Sequence, residues 1–426
     1  MNIKKSILLF SFFTLGTYSL IAQPSSGATD NDLQLNTITT AMPFLAITPD
    51  SRVGGMGDAG TALSANSTST YWNTSMLIFA EKKSEIGISY TPWLRQLTKD
   101  IHLSYLSGYS KIGKRHAVGG ALRYFSLGQI TFTDNTGNVI RDDKPSEFEI
   151  TGSYAFRLSN KLAIGLNGKF AYSNLTGGLT VAGVDTKAGI AGAADLSFTY
   201  YDDEIKVGGI KSVYAFATTI NNIGNKIAYS SVTTNQRDFL PMNLKIGNSL
   251  KLNFDDYNSL TFSLDIQKLL VPTPAIYDFG SGDLLSGKSN NVGVIQGMVQ
   301  SFYDAPGVIE KDANGNYLLD ANGKAKIVKG SRLKEELSEI NLGYGMEYWY
   351  NNLFALRGGY FYENKNKGNR QFINFGFGLK YNMFGFDFSY LFAFNKQSPL
   401  ANTLRFTLRL TFGDKQSDKV DAANGL

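Results

Sequence analysis

Between Phe384 and Phe412 the chain alternates apolar and polar residues with a period of two, and few patterns restrict a fold so tightly. Phe384, Phe386, Phe388, Tyr390, Phe392 and Phe394 occupy consecutive even positions, separated by Gly385, Asp387, Ser389, Leu391 and Ala393. Leu404, Phe406, Leu408, Leu410 and Phe412 then alternate with Arg405, Thr407, Arg409 and Thr411. Successive side chains of a strand point to opposite faces, so each stretch is a strand with one greasy and one polar side. A face of six successive aromatics needs an apolar medium against it. In a soluble protein that medium is a second sheet. In an outer-membrane barrel it is lipid, and the Arg/Thr face lines the lumen.

The start of the chain favours export. Lys4 and Lys5 precede an apolar run from Ile7 to Leu15 and then Ala22-Gln23, the layout of a signal peptide over residues 1–22. Beyond it no segment approaches the roughly 20 consecutive apolar residues of a spanning helix. The absence of cysteine excludes a disulfide framework, a lipid-anchoring cysteine and a thiolate metal site. With 44 Gly, 29 Phe and 23 Tyr against 10 Pro, the composition tilts towards strands with aromatic girdles. The net charge of +5 is spread along the chain. Nucleic acid would want a basic stripe, so it is not an expected partner, whereas anionic lipid head groups are permitted.

From residue 84 the alternation predicts strands at 84–91, 99–110, 115–130, 146–158, 161–173, 189–201, 211–220, 240–254, 258–268, 339–350, 353–364, 370–381, 384–394 and 403–412. The expected architecture is therefore an all-β, 14-stranded antiparallel transmembrane barrel over residues 84–412. An even count is usual for bacterial single-chain barrels. Connections after even-numbered strands are tight, as at Ser159-Asn160 and Asn351-Asn352, with the link Asp202–Ile210 as the exception. Those after odd-numbered strands are long, including 131–145, 174–188, 221–239, 269–338 and 395–402. Short turns at one rim and long loops at the other match a barrel with periplasmic turns. That reading places residues 23–83 and the tail 413–426 in the periplasm.

Residues 23–83 do not read as barrel wall. Gly55, Gly57 and Gly60 fit G-x-G-x-x-G, but Pro49-Asp50-Ser51-Arg52 stands where a dinucleotide fold needs a buried strand. A glycine-rich plug in the barrel mouth is the better reading, and no cofactor is expected. The loop 269–338 is long enough to carry specific function. It holds an apolar patch at helical spacing (Val292, Ile295, Val299, Phe302) and a helix-like piece, Arg332–Ile340, with Leu333, Leu337 and Ile340. These patches pack over the barrel mouth or meet a protein partner. Asp312, Asn314, Asn316 and Asp320 are spaced like calcium ligands but lack the closing Glu and the central Gly of that loop. Asn314-Gly315 and Asn322-Gly323 fit hairpin turns better. His102 falls on lumen-facing parity beside Ser104, without an acid to complete a catalytic set. No catalytic or metal-binding residue is expected. Lys365, Lys367 and Arg370 form either a lipopolysaccharide-phosphate contact or a solvated loop tip.

Several longer stretches resemble the PorV family. They are Asn36-Thr37-Ile38-Thr39-Thr40-Ala41-Met42-Pro43-Phe44-Leu45, Ile47-Thr48-Pro49-Asp50-Ser51-Arg52, Gly54-Gly55-Met56-Gly57-Asp58-Ala59-Gly60 and Tyr71-Trp72-Asn73. Ser301-Phe302-Tyr303-Asp304-Ala305-Pro306-Gly307, Glu335–Ile340 and the C-terminal block from Gly345 to Phe406 extend the likeness over the mature chain. The resemblance implies a FadL-like 14-stranded barrel with an N-terminal plug, in the outer membrane of Bacteroidetes, and a non-enzymatic role in type IX secretion. Its implied partners are the giant translocon barrel (SprA or Sov), cargo bearing the type IX C-terminal domain, and an attachment complex including the sortase PorU, which joins cargo to lipopolysaccharide. The plug motif would comprise Arg52, Gly54, Gly55, Gly57, Asp58, Gly60, Trp72 and Asn73. The partner-binding loop would use Val292, Ile295, Val299, Phe302, Asp304, Pro306, Leu333 and Leu337. Two departures stand out: Thr74 replaces the proline usual after Trp-Asn, and an inserted hairpin separates Gly307 from Leu333. The alternative function is FadL-like passage of hydrophobic small molecules.

Overall fold

A computed structural model describes residues 35–415, apart from 95–99, 135, 179, 182–183, 231–236, 279, 322, 396–397 and 399. The expected signal peptide and most of the expected tail lie outside the described residues. Fourteen strands hydrogen-bond in chain order and the last pairs with the first, closing an antiparallel barrel. They are β1 (Lys82–Pro92), β2 (Ile101–Ile112), β3 (His116–Leu127), β4 (Ser146–Arg157), β5 (Leu162–Asn174), β6 (Gly189–Val207) and β7 (Ile210–Gly224). The second half comprises β8 (Asn243–Asn253), β9 (Ser259–Leu269), β10 (Ile340–Tyr350), β11 (Phe354–Tyr362), β12 (Gln371–Tyr381), β13 (Phe384–Ala393) and β14 (Leu404–Lys415). Closure leaves no edge strand, as lipid demands, because an unpaired backbone group there finds no water to bond.

The pleat sorts side chains as the alternation requires. In β13 the odd residues Gly385, Asp387, Ser389 and Leu391 are buried towards the lumen, while Phe384 and Phe392 stay 60% and 50% exposed on the outer face. In β14, Arg405 and Thr407 point inward and Leu408 and Phe412 outward. Paired rings run along this wall, for example Phe377–Phe388 and Phe388–Phe406, each at 5.3 Å between centroids.

The two rims differ as loop lengths imply, with one correction. The link at 202–210 is not long: β6 continues to Val207 and β7 begins at Ile210, turning on Gly208-Gly209 with φ of 57° and 85°. Two successive positive φ angles make the tight turn whose twist suits a hairpin. The charged run Asp202–Lys206 reads as loop, but a strand that protrudes beyond the membrane can hold such residues. The opposite rim carries hairpins at Ile130–Thr133 with Val139–Asp143, and Ile276–Tyr277 with Leu284–Ser286.

Residues 41–80 lie inside the barrel. They form two 3-10 turns (Pro43–Ala46, Thr74–Phe79) and two short helices, α1 (Ser51–Gly54) and α2 (Ser69–Trp72), and almost every residue is buried. Asn36 N–H donates to Asn366 O (3.0 Å) and Ala41 N–H to Phe239 O (2.8 Å), both at the long-loop rim. At the other end, Lys111 Nζ donates to Ala80 O (2.9 Å) near the short-turn rim. The segment therefore runs through the lumen from the long-loop rim down to β1. Its described start sits at the long-loop rim, which corrects the expectation that all of residues 23–83 lies on the short-turn side.

The filled lumen also explains His102. On β2 the inward residues are Leu103, Tyr105, Ser107, Tyr109 and Lys111, all buried against the inner segment rather than lining water. His102 consequently faces outward, with its ring 5.5 Å from Tyr90 and 6.2 Å from Tyr124. It is part of an aromatic girdle, not of a lumen-facing pair with Ser104.

Candidate functional site

Two regions gather the residues singled out from the sequence: the seat of the inner segment and the cap formed by the long loop.

The seat is made by the inward rows of nearly every strand. Arg52, at the second position of α1, donates from Nη2 and Nε to the Glu347 carboxylate of β10 (2.8 and 3.0 Å). Glu347 also accepts from Arg357 Nε on β11 (2.7 Å). Arg357 in turn faces Asp387 of β13 (2.8 Å), Asp387 pairs with Arg409 of β14 (2.8 Å), and Arg409 approaches Glu85 of β1 (3.8 Å). The chain of six charges alternates in sign around the wall. Each buried charge thereby has an opposite neighbour, without which its desolvation would be prohibitive.

Other ties fix the rest of the segment. Asp265 Oδ2 on β9 accepts from Gly60 N–H, Thr61 N–H and Thr61 Oγ1 (3.0, 3.0 and 2.6 Å). Trp72 Nε1 donates to Asp50 Oδ2 (2.6 Å), while Asp50 caps α1 by accepting from Val53 N–H (3.0 Å). Asn73 Nδ2 bridges Thr61 O and Thr199 Oγ1 of β6, each at 2.8 Å. Thr74, standing where the family usually has proline, donates its hydroxyl to Asn167 Oδ1 of β5 (2.6 Å). Proline is tolerated at a first helical position because its missing N–H is not needed there. Threonine fills the same place and adds a bond to the wall. Asp58 accepts through its carbonyl from Gln267 Nε2 (3.2 Å).

Gly57 shows why the segment is glycine-rich. It has φ +63°, and a Cβ there would lie 2.4 Å from Tyr344 O and 2.5 Å from Tyr360 O. The wall is hollowed to match: a Cβ on Gly359 of β11 would come within 2.0 Å of Gly57 N. Backbone meets backbone, so neither partner tolerates a side chain. Gly54 and Gly55 likewise lie against Arg405 and Gly376. All eight expected plug residues are thus brought to one seat. Asp50, Thr61, Arg123, Asp265 and Glu347 were not foreseen. Arg123, 1% exposed, donates from Nη1 to Phe44 O and Leu45 O (3.0 and 2.9 Å) and lies 4.5 Å over the Tyr71 ring. Below the seat, a cavity of about 690 Å³ opens among Glu81, Glu85, Tyr109, Lys251, Trp349 and Lys380 at the short-turn half.

The cap is built from α3 (Val294–Gln300) and α4 (Ser331–Ser338). Its core is ionic: Lys367 Nζ pairs with Glu335 (2.7 Å) and Glu339 (3.0 Å), and Lys268 with Glu339 (2.5 Å). Asn36 Nδ2 donates to Glu335 Oε1 (3.1 Å), which ties the start of the inner segment to the cap. Of the eight expected partner residues, Ile295, Val299, Phe302, Leu333 and Leu337 are exposed. Val292 is half-buried, and Asp304 and Pro306 are buried framework. Asp304 accepts from Thr273 N–H (3.2 Å) and Gln300 Nε2 (3.3 Å), and burial pushes its carboxyl up to about 6. Lys367 is buried with its carboxylates, whereas Arg370 is exposed and paired with Glu363 (2.7 Å), and Lys365 is exposed. Asp312 accepts from the N–H groups of Asn314 (2.8 Å) and Asn316 (2.9 Å), closing a hairpin turn.

A family model described as "Type IX secretion system protein PorV" matches residues 29–276, which span the inner segment and β1 to β9. The chain belongs to the PorV family. It is a type IX secretion protein with the barrel of an outer-membrane component. No curated protein matches it. Among solved structures it is similar to the Pseudomonas putida toluene transporter TodX, at 13% identity and a TM-score of 0.46, with 88% of this chain and 98% of that chain covered. The Ralstonia pickettii toluene transporter TbuX follows at 12% and 0.45 (85% and 98% covered). A FadL homologue of Pseudomonas aeruginosa gives 11% and 0.41 (88% and 99% covered). In this PorV-family chain the family match ends at residue 276, just after β9.

Proposed function

We propose that this protein is the docking and transfer component of a type IX secretion system. It receives cargo bearing the type IX C-terminal signal domain at the SprA- or Sov-like translocon barrel and passes it to the surface attachment complex that includes PorU. The observation that carries this reading is the family match over the inner segment and nine strands. The geometry supports it in two ways. Residues 41–80 are bonded to strands around the barrel, so they act as a plug and the lumen is not the working surface. The loops of the long-loop rim are left to meet partners, and lipopolysaccharide surrounds that rim.

Deleting the gene tests the reading. Proteins with type IX C-terminal domains are expected to accumulate unprocessed inside the cell, and complementation should restore them. The competing reading is a transporter of hydrophobic small molecules with Gly54–Gly60 as its movable plug. Normal secretion combined with lost uptake of one apolar compound would overturn the proposal in its favour.

A further inference from the structure

The cap exposes apolar side chains that its own packing does not use. Val294 and Met298 of α3 turn inward against Phe239, Met242, Leu270 and Val271. The other side of the helix then presents Ile295, Val299 and, just beyond its end, Phe302, all more than half exposed. Spacings of four and three place them on one face. On α4, Leu333 and Leu337 are exposed at a spacing of four.

What lies beside this face identifies what covers it. The buried cluster beneath α3 also receives Ile220 of β7 and Leu244 of β8, from the outward rows of those strands, and Ile38 from the start of the inner segment. Phe302 stands over the Lys268 ammonium, 5.7 Å from ring centroid to Nζ. Lys268 is on the outward row of β9, two residues beyond the exposed Ile266, and is paired across the ladder with Ile340. Its bond to Glu339 and its 3.6 Å approach to Glu336 bring α4 to the same place. The helices therefore reach over the outer edge of the rim, where their exposed sides continue the lipid-facing band, while Asn36 and Ile38 tie their inner sides to the segment that enters the mouth. Exposed Arg332 and Lys334 flank Leu333. An apolar edge bordered by cations matches an anionic lipid surface, apolar groups going into the acyl boundary and cations to the phosphates.

We propose that the exposed edges of α3 and α4 rest in the outer leaflet of the membrane as a shelf, with Arg332 and Lys334 at the level of the lipid phosphates. The sequence offered this face to a protein partner or the barrel mouth; the geometry gives it to lipid. The inference rests on the membrane placement of the barrel and not on the secretion role, so each can fail alone.

The absence of cysteine makes the test clean. Val299→Cys, Leu333→Cys and, on the exposed hairpin, Asn314→Cys are each labelled with an NBD fluorophore. The full chain is then placed in vesicles of phosphatidylethanolamine and phosphatidylglycerol. Probes at 299 and 333 are expected to emit to the blue of the probe at 314, to be quenched severalfold by nitroxide-labelled lipid, and to resist iodide. The probe at 314 should show the reverse. Iodide quenching at 299 and 333 equal to that at 314, without lipid quenching, would overturn the shelf. Shielding that appears only on adding a purified partner protein would overturn it in favour of protein docking.

Discussion

Glu347 accepts from two guanidiniums at once, Arg52 of the inner segment and Arg357 of the wall, at 2.8 and 2.7 Å. Removing it leaves two buried cations facing each other. Breaking one partner out of a buried ion pair costs about 3–5 kcal/mol. Glu347→Ala should therefore lower the thermal unfolding midpoint sharply, with Glu347→Gln intermediate because it keeps the volume and one acceptor. Since the lost tie is an ionic anchor of α1, the Ala variant should also pass more current than the parent in planar bilayers. An unchanged midpoint and unchanged current would show that Glu347 does not hold the plug. At this scale the sequence showed one side of the seat only. Gly57 stands out by spacing, and Arg52 and Trp72 through the family resemblance, but Glu347 and Asp265 look like any inward acid on a barrel strand. Which inward residue meets which part of a threaded segment depends on strand register, and alternation is silent on that. His102 failed for a related reason. The inner row of its strand includes Leu103, Tyr105 and Tyr109, because there the lumen holds protein instead of water.

Among elements, all fourteen strands were legible, because most alternate clearly and the connections sort by rim, although Ala and Thr blur the faces at 189–201 and 211–220. The link at 202–210 was misread because charge alone does not tell a loop from a strand rising out of the membrane. Helices α3 and α4 were visible as apolar spacing, though not which of their faces is spent on packing. The cap also has a titrating element. Burial raises Asp304 to about 6, with the nearby Glu336 and Glu339 charges adding to the effect; burial raises Glu336 as well. A carboxyl whose folded pKa is raised favours the folded cap while it is neutral. That contribution is complete below its ordinary value near 4 and is lost as pH rises through about 6. Amide hydrogen exchange in the loop around residues 270–339, corrected for the intrinsic rate, should show weaker protection at pH 7.5 than at pH 5. Asp304→Asn should flatten that difference. Stronger protection at the higher pH would contradict the assignment.

For the whole molecule, the barrel is a closed cylinder threaded by its own N-terminal segment, so the chain reaches the long-loop rim before it builds the wall. Position in the membrane was legible from the outer aromatic face of residues 384–412. The path of the inner segment was not, because its contacts join residues as far apart as Arg52 and Glu347. A barrel filled in this way fits the proposed role of holding other proteins at its rims. The most direct measurement is extraction in mild detergent from cells expressing the tagged full chain, followed by identification of what co-purifies. The account predicts a much larger barrel of the translocon type together with cargo C-terminal domains. Recovery of the barrel alone, or with only a bound hydrophobic compound, would contradict it.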